Sequence, residues 1–251
     1  MNTFIYGHRG SKGTHPENTL LGFQQAIECG ADGLEIDVHQ TKDGELVVIH
    51  DDTLERTTDG SGSIGQKTWE EIRLCSAGSC FADLPAYTPS WDMERVPTLR
   101  QVLEFLAPYP VELNIELKTY ATAYSGIEER VLETVEQYGK GRKIMFSSFH
   151  LPTLIRLRER QPSAETAWLL HTPISQPGDY IHTFGFEALH ISKEVFFSNE
   201  AVFSPHAHQL RVWTVNNPKE IEKLVRAGVR AVITDFPERA LAIRNGHTAV
   251  R

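Results

Sequence analysis

Four residues near the start of the chain have side chains that together can bind a metal ion and move protons: His8, Glu35, Asp37 and His50. His8 stands in Tyr6-Gly7-His8-Arg9-Gly10, and Gly33-Leu34-Glu35-Ile36-Asp37-Val38 runs through Thr41-Lys42-Asp43-Gly44 to Val47-Val48-Ile49-His50-Asp51. Strand alternation sends Glu35 and Asp37 out of one face. Asp43-Gly44 signals a two-residue hairpin, and a register that pairs Lys42 with Glu45 also pairs Asp37 with His50. Two carboxylates and an imidazole then share a surface.

Elements that would position these groups follow from the hydrophobic pattern. Short β-branched and apolar runs alternate with amphipathic stretches, the pattern of parallel strands joined by helices. Eight strands are expected: Phe4 to Gly7, Leu34 to Val38, Val111 to Leu117, Lys143 to Ser147, Thr166 to Leu170, Ala188 to Ile191, Leu210 to Val215 and Val229 to Thr234. Leu46 to His50 is set apart, because the connection from Gln40 to Glu45 is too short for a parallel crossover and must return antiparallel. Helices are expected over Asn18 to Cys29, Gly126 to Tyr138, Leu151 to Gln161, Pro218 to Ala227 and Pro237 to Gly246, with capping boxes at Thr68 to Glu71 and Thr98 to Gln101. The expected fold is therefore α/β, a (β/α)8 TIM barrel forming one domain over residues 1–251. A small insertion at about 52–97 follows the hairpin that extends the second strand, where the alternation lapses into Gly, Ser, Thr and Pro.

Composition narrows the partners. With 25 basic and 33 acidic residues the net charge is -8, which argues against a nucleic-acid partner. Cys29, Cys75 and Cys80 form neither a C-x-x-C metal spacing nor a disulfide framework, so reduced thiols and a cytoplasmic location are expected. Met1 to Ile5 lacks a basic stretch leading into an apolar one, and no apolar run approaches membrane-spanning length, so stable membrane insertion is not expected. A homodimer is an admissible assembly.

In such a barrel, chemistry collects at the C-terminal ends of the strands, and the polar residues sit there: His8 and Arg9 after the first strand, Glu35 and Asp37 on the second, Glu116 and Lys118 at the third, Ser147 and Ser148 after the fourth, His171 at the fifth, Asn216 at the seventh and Asp235 at the eighth. Glu35, Asp37 and Glu116 offer three carboxylates and no thiolate, a donor set for one hard divalent cation, Mg²⁺ or Ca²⁺. Taken alone, Glu35 and Asp37 also suit a salt-bridge network with Arg9 and Lys118; Glu116 and the two histidines tilt the reading to metal. Arg9 and Lys118 beside a metal point to an anionic, phosphate-like substrate, and His8 and His50 are groups able to exchange protons near neutrality. Phosphoester cleavage is the implied chemistry. Asn18 reads as a helix cap, Asp235 as a strand-end cap, and Asp51 as a group that orients His50 or its loop. Tyr120 and Tyr124 follow Lys118 in a loop that can reach the alcohol side of a substrate, and His171 reads as a further residue able to touch it.

The ordered set His8-Arg9-Gly10, His15-Pro16-Glu17-Asn18-Thr19, Glu35-Ile36-Asp37-Val38, Thr41-Lys42-Asp43-Gly44, His50-Asp51, Arg56-Thr57-Thr58, Glu116-Leu117-Lys118 and Trp213-Thr214-Val215-Asn216 resembles the successive signatures of the glycerophosphodiester phosphodiesterases over nearly the whole chain. The resemblance implies a barrel with a small insertion, a divalent cation at Glu35, Asp37 and Glu116, and an acid and base pair at His8 and His50. It also implies hydrolysis of glycerophosphodiesters, small-molecule substrates such as glycerophosphocholine or glycerophosphoethanolamine, to glycerol 3-phosphate and an alcohol. Consistent with both readings, one histidine would deprotonate the glycerol 2-hydroxyl for attack on phosphorus and the other would protonate the departing alcohol, through a cyclic phosphate, with Arg9 and Lys118 on the phosphoryl oxygens. Trp213 reads either as core or as a wall against the glycerol moiety, and on the resemblance Asn18 becomes a candidate pocket support. Two rival readings are a lysophospholipase D-like enzyme acting on lipid phosphodiesters and a barrel that binds phosphodiesters without cleaving them.

Overall fold

The computed structural model of the chain describes residues 3–248, with the side chains of 247 and 248 left aside; Met1 and Asn2, which open the N-terminal stretch read above, lie outside it together with residues 249–251. Nine strands form one sheet: β1 (Phe4–His8), β2 (Gly33–Gln40), β3 (Leu46–Val48), β4 (Glu112–Leu117), β5 (Ile144–Ser148), β6 (Glu165–Leu170), β7 (Ala188–Ser192), β8 (Leu210–Trp213) and β9 (Ala231–Thr234). All but β3 pair in parallel, in the order β1-β9-β8-β7-β6-β5-β4-β2, and β1 pairs with β2 to close an eight-stranded barrel. With helices between the strands, the expected TIM barrel is present; β3 hangs antiparallel on the outer edge of β2.

Alternation along the strands divides the apolar residues between two spaces. Ile5, Leu34, Ile36, Leu113 and Ile115 join Phe23, Leu103, Val131 and Leu154 in the layer between barrel and helices. Tyr6, Ala231 and Ile233 form one small interior cluster, and Met145, Ala167 and Ala188 another. The polar residues that fill the remaining interior positions therefore face one another across the barrel.

Three expectations need correction. In the hairpin Val38 pairs with Val48, His39 with Val47 and Gln40 with Leu46, one residue off the Lys42–Glu45 register. Thr41 N donates to Glu45 O, leaving three loop residues, and Gly44 at φ 91° occupies the left-handed position that a three-residue hairpin loop requires. Asp37 thus meets Ile49, whose N donates to Asp37 O, and not His50. Asn18 does not cap the first helix: Thr19 does, its Oγ1 accepting from Gly22 N, and the helix runs Leu20–Glu28. Helices Pro177–Phe184 and Lys193–Ser198 add to those expected, the first interrupted early by Gly178 and the second too short to show a period. Both capping boxes are present, at Thr68 and Thr98.

Residues 52–97 carry four short helical segments, at Ile64–Gln66, Trp69–Ile72, Ser79–Phe81 and Pro89–Met93. Their own apolar cluster gathers Leu54, Ile64, Ile72 and Val96 around Val47 and Ile49 of the hairpin strand and its extension. That packing fixes the chain on both sides of His50. Among the described residues no helix is long and apolar enough to cross a membrane.

The turn out of β1 is as tight as the chain permits, since a Cβ at Gly7 would lie 2.6 Å from Gly10 O. Gly7→Ala is expected to cost about 1–3 kcal/mol of stability through overpacking, measured by denaturant melts, and to lower turnover because His8 and Arg9 lie in that turn.

Candidate active site

The parallel registers set the site. His8 ends β1 beside Glu35, and Asp37 lies beside Glu116 on β4. Glu35, Asp37 and Glu116 consequently bring carboxylate oxygens within 4.8 Å of one another, all three side chains nearly buried. Lys118 Nζ sits 2.8 Å from Glu116 Oε1 and 3.4 Å from Asp37 Oδ1, and Arg9 Nε sits 3.1 Å from Asp37 Oδ2. Asn18, at φ 54° and with Nδ2 donating to Asp37 Oδ2 at 2.9 Å, supports this carboxylate.

Burial and mutual repulsion raise the Glu35 carboxyl well above its usual range, because Asp37 and Glu116 lie beside it. Glu116 is raised mainly by burial. For Asp37 burial is outweighed by the Lys118 ammonium and the Arg9 guanidinium, which hold it far below the usual carboxylate range. A space with three carboxylates and two fixed cations has room for further positive charge, and Asp37 Oδ1, though 3.4 Å from Lys118 Nζ, is buried and accepts no hydrogen bond among the described residues. Oxygen donors of this number and charge fit a hard divalent cation.

Each histidine is held from behind by an aspartate. His8 Nδ1 is 2.6 Å from Asp235 Oδ1, and Asp235 is itself fixed by Asn216 Nδ2 at 2.6 Å. Asp235 N and Thr234 Oγ1 both donate to Asn216 Oδ1. His50 Nδ1 is 2.6 Å from Asp51 Oδ1. Since a carboxylate only accepts, both rings carry their proton on Nδ1 toward the aspartate and keep Nε2 for the pocket. Burial pushes the His8 imidazole below its ordinary pKa, only partly opposed by Asp235.

His50 enters by a route the hairpin register did not provide. β3 ends at Val48, the chain bends, and the His50 carbonyl accepts from His39 Nε2 at 2.9 Å. Burial lowers the His39 pKa to about 4, so its ring is neutral, with Nε2 as donor and Nδ1 accepting from Tyr124 Oη at 2.7 Å. His39 is thus a strut under His50, and Tyr124 braces the strut.

Behind the two dyads runs a second charged layer. Arg56, from the insertion, donates to both Asp51 oxygens and to both Glu17 oxygens at 2.6–3.0 Å. Glu17 also accepts from Arg9 Nη1 at 2.8 Å. Arg56 therefore ties the partner of His50 to the partner of Arg9.

His8, Arg9, Glu35, His50, Glu116, Lys118 and Trp213 line one cavity of about 100 Å³. Phe149 packs edge-on against Trp213, ring centres 5.6 Å apart, and forms part of its wall. His171 is exposed and packs at a tilt against Phe149 without lining the cavity. His190, buried on β7, does line it, with Arg211 Nη1 3.2 Å from its Nε2. Glu17, Arg56 and Asn216 fall within the family-like motifs of the sequence, yet residue type alone does not separate them, or Asp235, from ordinary caps and surface charges; for Asn216 and Asp235 the further signal is their position at the ends of adjacent strands.

A closed barrel with a buried tricarboxylate cluster, two cations and two aspartate-backed imidazoles at its C-terminal mouth is the architecture of a phosphoester hydrolase. Residues 8–239 match the glycerophosphoryl diester phosphodiesterase family model, and the chain belongs to that family and is an enzyme of its class. It is similar to a glycerophosphodiester phosphodiesterase of Bacillus altitudinis, 39% identical over 96% of this chain and 98% of the relative, and to one of Caldanaerobacter subterraneus, 34% identical over 98% and 100%. Among solved structures it resembles an Oleispira antarctica phosphodiesterase in complex with the product sn-glycerol-3-phosphate, with TM-score 0.86 and 28% identity over 97% of each chain. A glycerophosphodiester phosphodiesterase from Agrobacterium tumefaciens matches with TM-score 0.81 and 26% identity over 96% of this chain and 99% of that one.

Burial pushes the Glu17 carboxyl up, but Arg56 and Arg9 more than offset this and hold it below its ordinary value. A carboxyl that titrates lower folded than unfolded stabilises fully above its unfolded pKa, and the gain drains away as pH falls through the folded one. Glu17→Gln is accordingly expected to cost about 3 kcal/mol near neutrality. The gap to wild type should close in acid, which urea melts at neutrality and at about pH 3 would check.

Proposed function

We propose that this enzyme hydrolyses glycerophosphodiesters such as glycerophosphocholine and glycerophosphoethanolamine to glycerol 3-phosphate and the free alcohol, with a divalent cation, Mg²⁺ or Ca²⁺, and with His8 and His50 as the proton-transfer pair. The observation that carries the reading is the convergence of Glu35 and Glu116 with Arg9, Lys118 and two imidazoles on one small cavity, with Asp37 buried beside the two glutamates. The product found in the Oleispira antarctica structure is the one this reaction requires.

Glu35, Asp37 and Glu116 would hold the cation, which when bound supplies positive charge to the phosphoryl group and lowers the pKa of the glycerol 2-hydroxyl. His8, kept neutral by burial, takes the proton of that hydroxyl through Nε2, and the oxygen attacks phosphorus. His50 lines both this cavity and the cleft beside it, so it is placed to return a proton to the alcohol as its bond to phosphorus breaks. Arg9 and Lys118 offset charge growing on the phosphoryl oxygens, at roughly 3 kcal/mol per well-placed donor. Water then opens the cyclic phosphate with the histidine roles reversed, giving glycerol 3-phosphate. Trp213 and Phe149 wall the glycerol moiety. Residues 52–97 act as a cap within one barrel domain, and three free cysteines suit a reducing, cytoplasmic setting.

Phosphorus NMR of glycerophosphocholine with the purified protein tests this directly. Glycerol 3-phosphate should appear with Mg²⁺ or Ca²⁺ and not with chelator; phosphocholine as the product, or turnover that survives chelation, would overturn the reading. Replacing His8 or His50 by alanine should lower kcat by roughly 10²–10⁴-fold, and Asp235→Asn by roughly 10–100-fold, since it acts through His8. A 2-deoxyglycerol diester should resist cleavage, and normal turnover of it would remove the cyclic step.

A further inference from the structure

Beside the catalytic cavity lies a second, wider cleft of about 310 Å³, and the two share His50, Glu116, Lys118 and Phe149. Its far wall is built from Asp51, Asp52, Tyr120 and Thr122. A diester whose phosphate lies between the shared residues has two arms. One fits the narrow cavity, and the other must leave through this cleft.

The charges on the cleft are not equivalent. Asp51 is engaged by His50 and Arg56, and Glu116 and Lys118 engage each other. Asp52 is exposed and makes no salt bridge among the described residues. Close by, Tyr120 is 72% exposed, and the Phe149 ring forms the wall nearest the catalytic groups. An available carboxylate beside the exposed Tyr120 ring and the half-buried Phe149 matches a small organic cation, which gains from both the anion and an aromatic face. An anionic alcohol would meet the Asp52 carboxylate, and a neutral polyol would set its hydroxyls against Phe149, Ala121 and Leu117.

We propose that this cleft is the receiving site for the leaving alcohol and that Asp52 and Tyr120 select substrates whose alcohol carries an ammonium group, of the choline or ethanolamine type. The inference rests on the phosphodiesterase reading above and adds to it the residues that set head-group preference.

The test compares kcat/KM for glycerophosphocholine, glycerophosphoethanolamine and the uncharged glycerophosphoglycerol at a fixed, saturating divalent cation. Wild type should favour the two cationic substrates, and added salt should narrow the preference. Asp52→Asn should lower the ratio of glycerophosphocholine to glycerophosphoglycerol by about fivefold, mainly through KM. Asp52→Lys should lower it further, and Tyr120→Leu should lower it by about twofold to fivefold. A ratio that stays at the wild-type value in both Asp52 variants, with all three substrates still cleaved, would overturn the head-group assignment alone. Failure of wild type to cleave any of the three would overturn the phosphodiesterase reading and this inference with it.

Discussion

Glu35, Asp37 and Glu116 crowd three carboxylates within 4.8 Å of each other, against the charges of Arg9 and Lys118. Bringing this many ionisable groups out of water costs several kcal/mol each unless they are partnered. The surroundings supply partners in layers: Asn18 on Asp37, Glu17 on Arg9, and Arg56 on Glu17. The excess acidity left over is what gives the site its capacity for a cation. Without the parallel register that sets Asp37 beside Glu116, there would be no cluster to neutralise.

Much of this was legible from residue types. The barrel strands stand out because β-branched residues recur at the right intervals, and Glu35 and Asp37 share a face by alternation alone. The register of the hairpin was not legible in the same way, because it turns on whether Gly44 takes a left-handed conformation within a three-residue loop or a two-residue one. His50 reaches the cavity in spite of that difference, through a bend after β3 that no local pattern announces. Asp235 and Asn216 illustrate a second limit. Short polar residues at strand ends are also ordinary caps, and only closure of the barrel brings Asp235 against His8, separated by more than two hundred positions in the chain.

The two dyads differ in how they are anchored. His8 and Asp235 both belong to the closed barrel, on neighbouring strands β1 and β9 and the turns that follow them. His50 and Asp51 belong to the segment between the hairpin and the insertion, and their partners come from two elements, His39 from β2 and Arg56 from the insertion. One imidazole is therefore part of the frame and the other is delivered to it.

β3 lies outside the ring of eight strands, and the cluster of Leu54, Ile64 and Ile72 packs on its Val47 and on Ile49 just beyond it. Loosening of that outer layer can leave the ring of strands intact while moving His50 away from the cavity it lines. Partial opening of a region costs less than global unfolding, so the seat of His50 belongs to a part of the chain that can open before the barrel does. Changes confined to this appendage can thus tune turnover without taxing the scaffold beneath it.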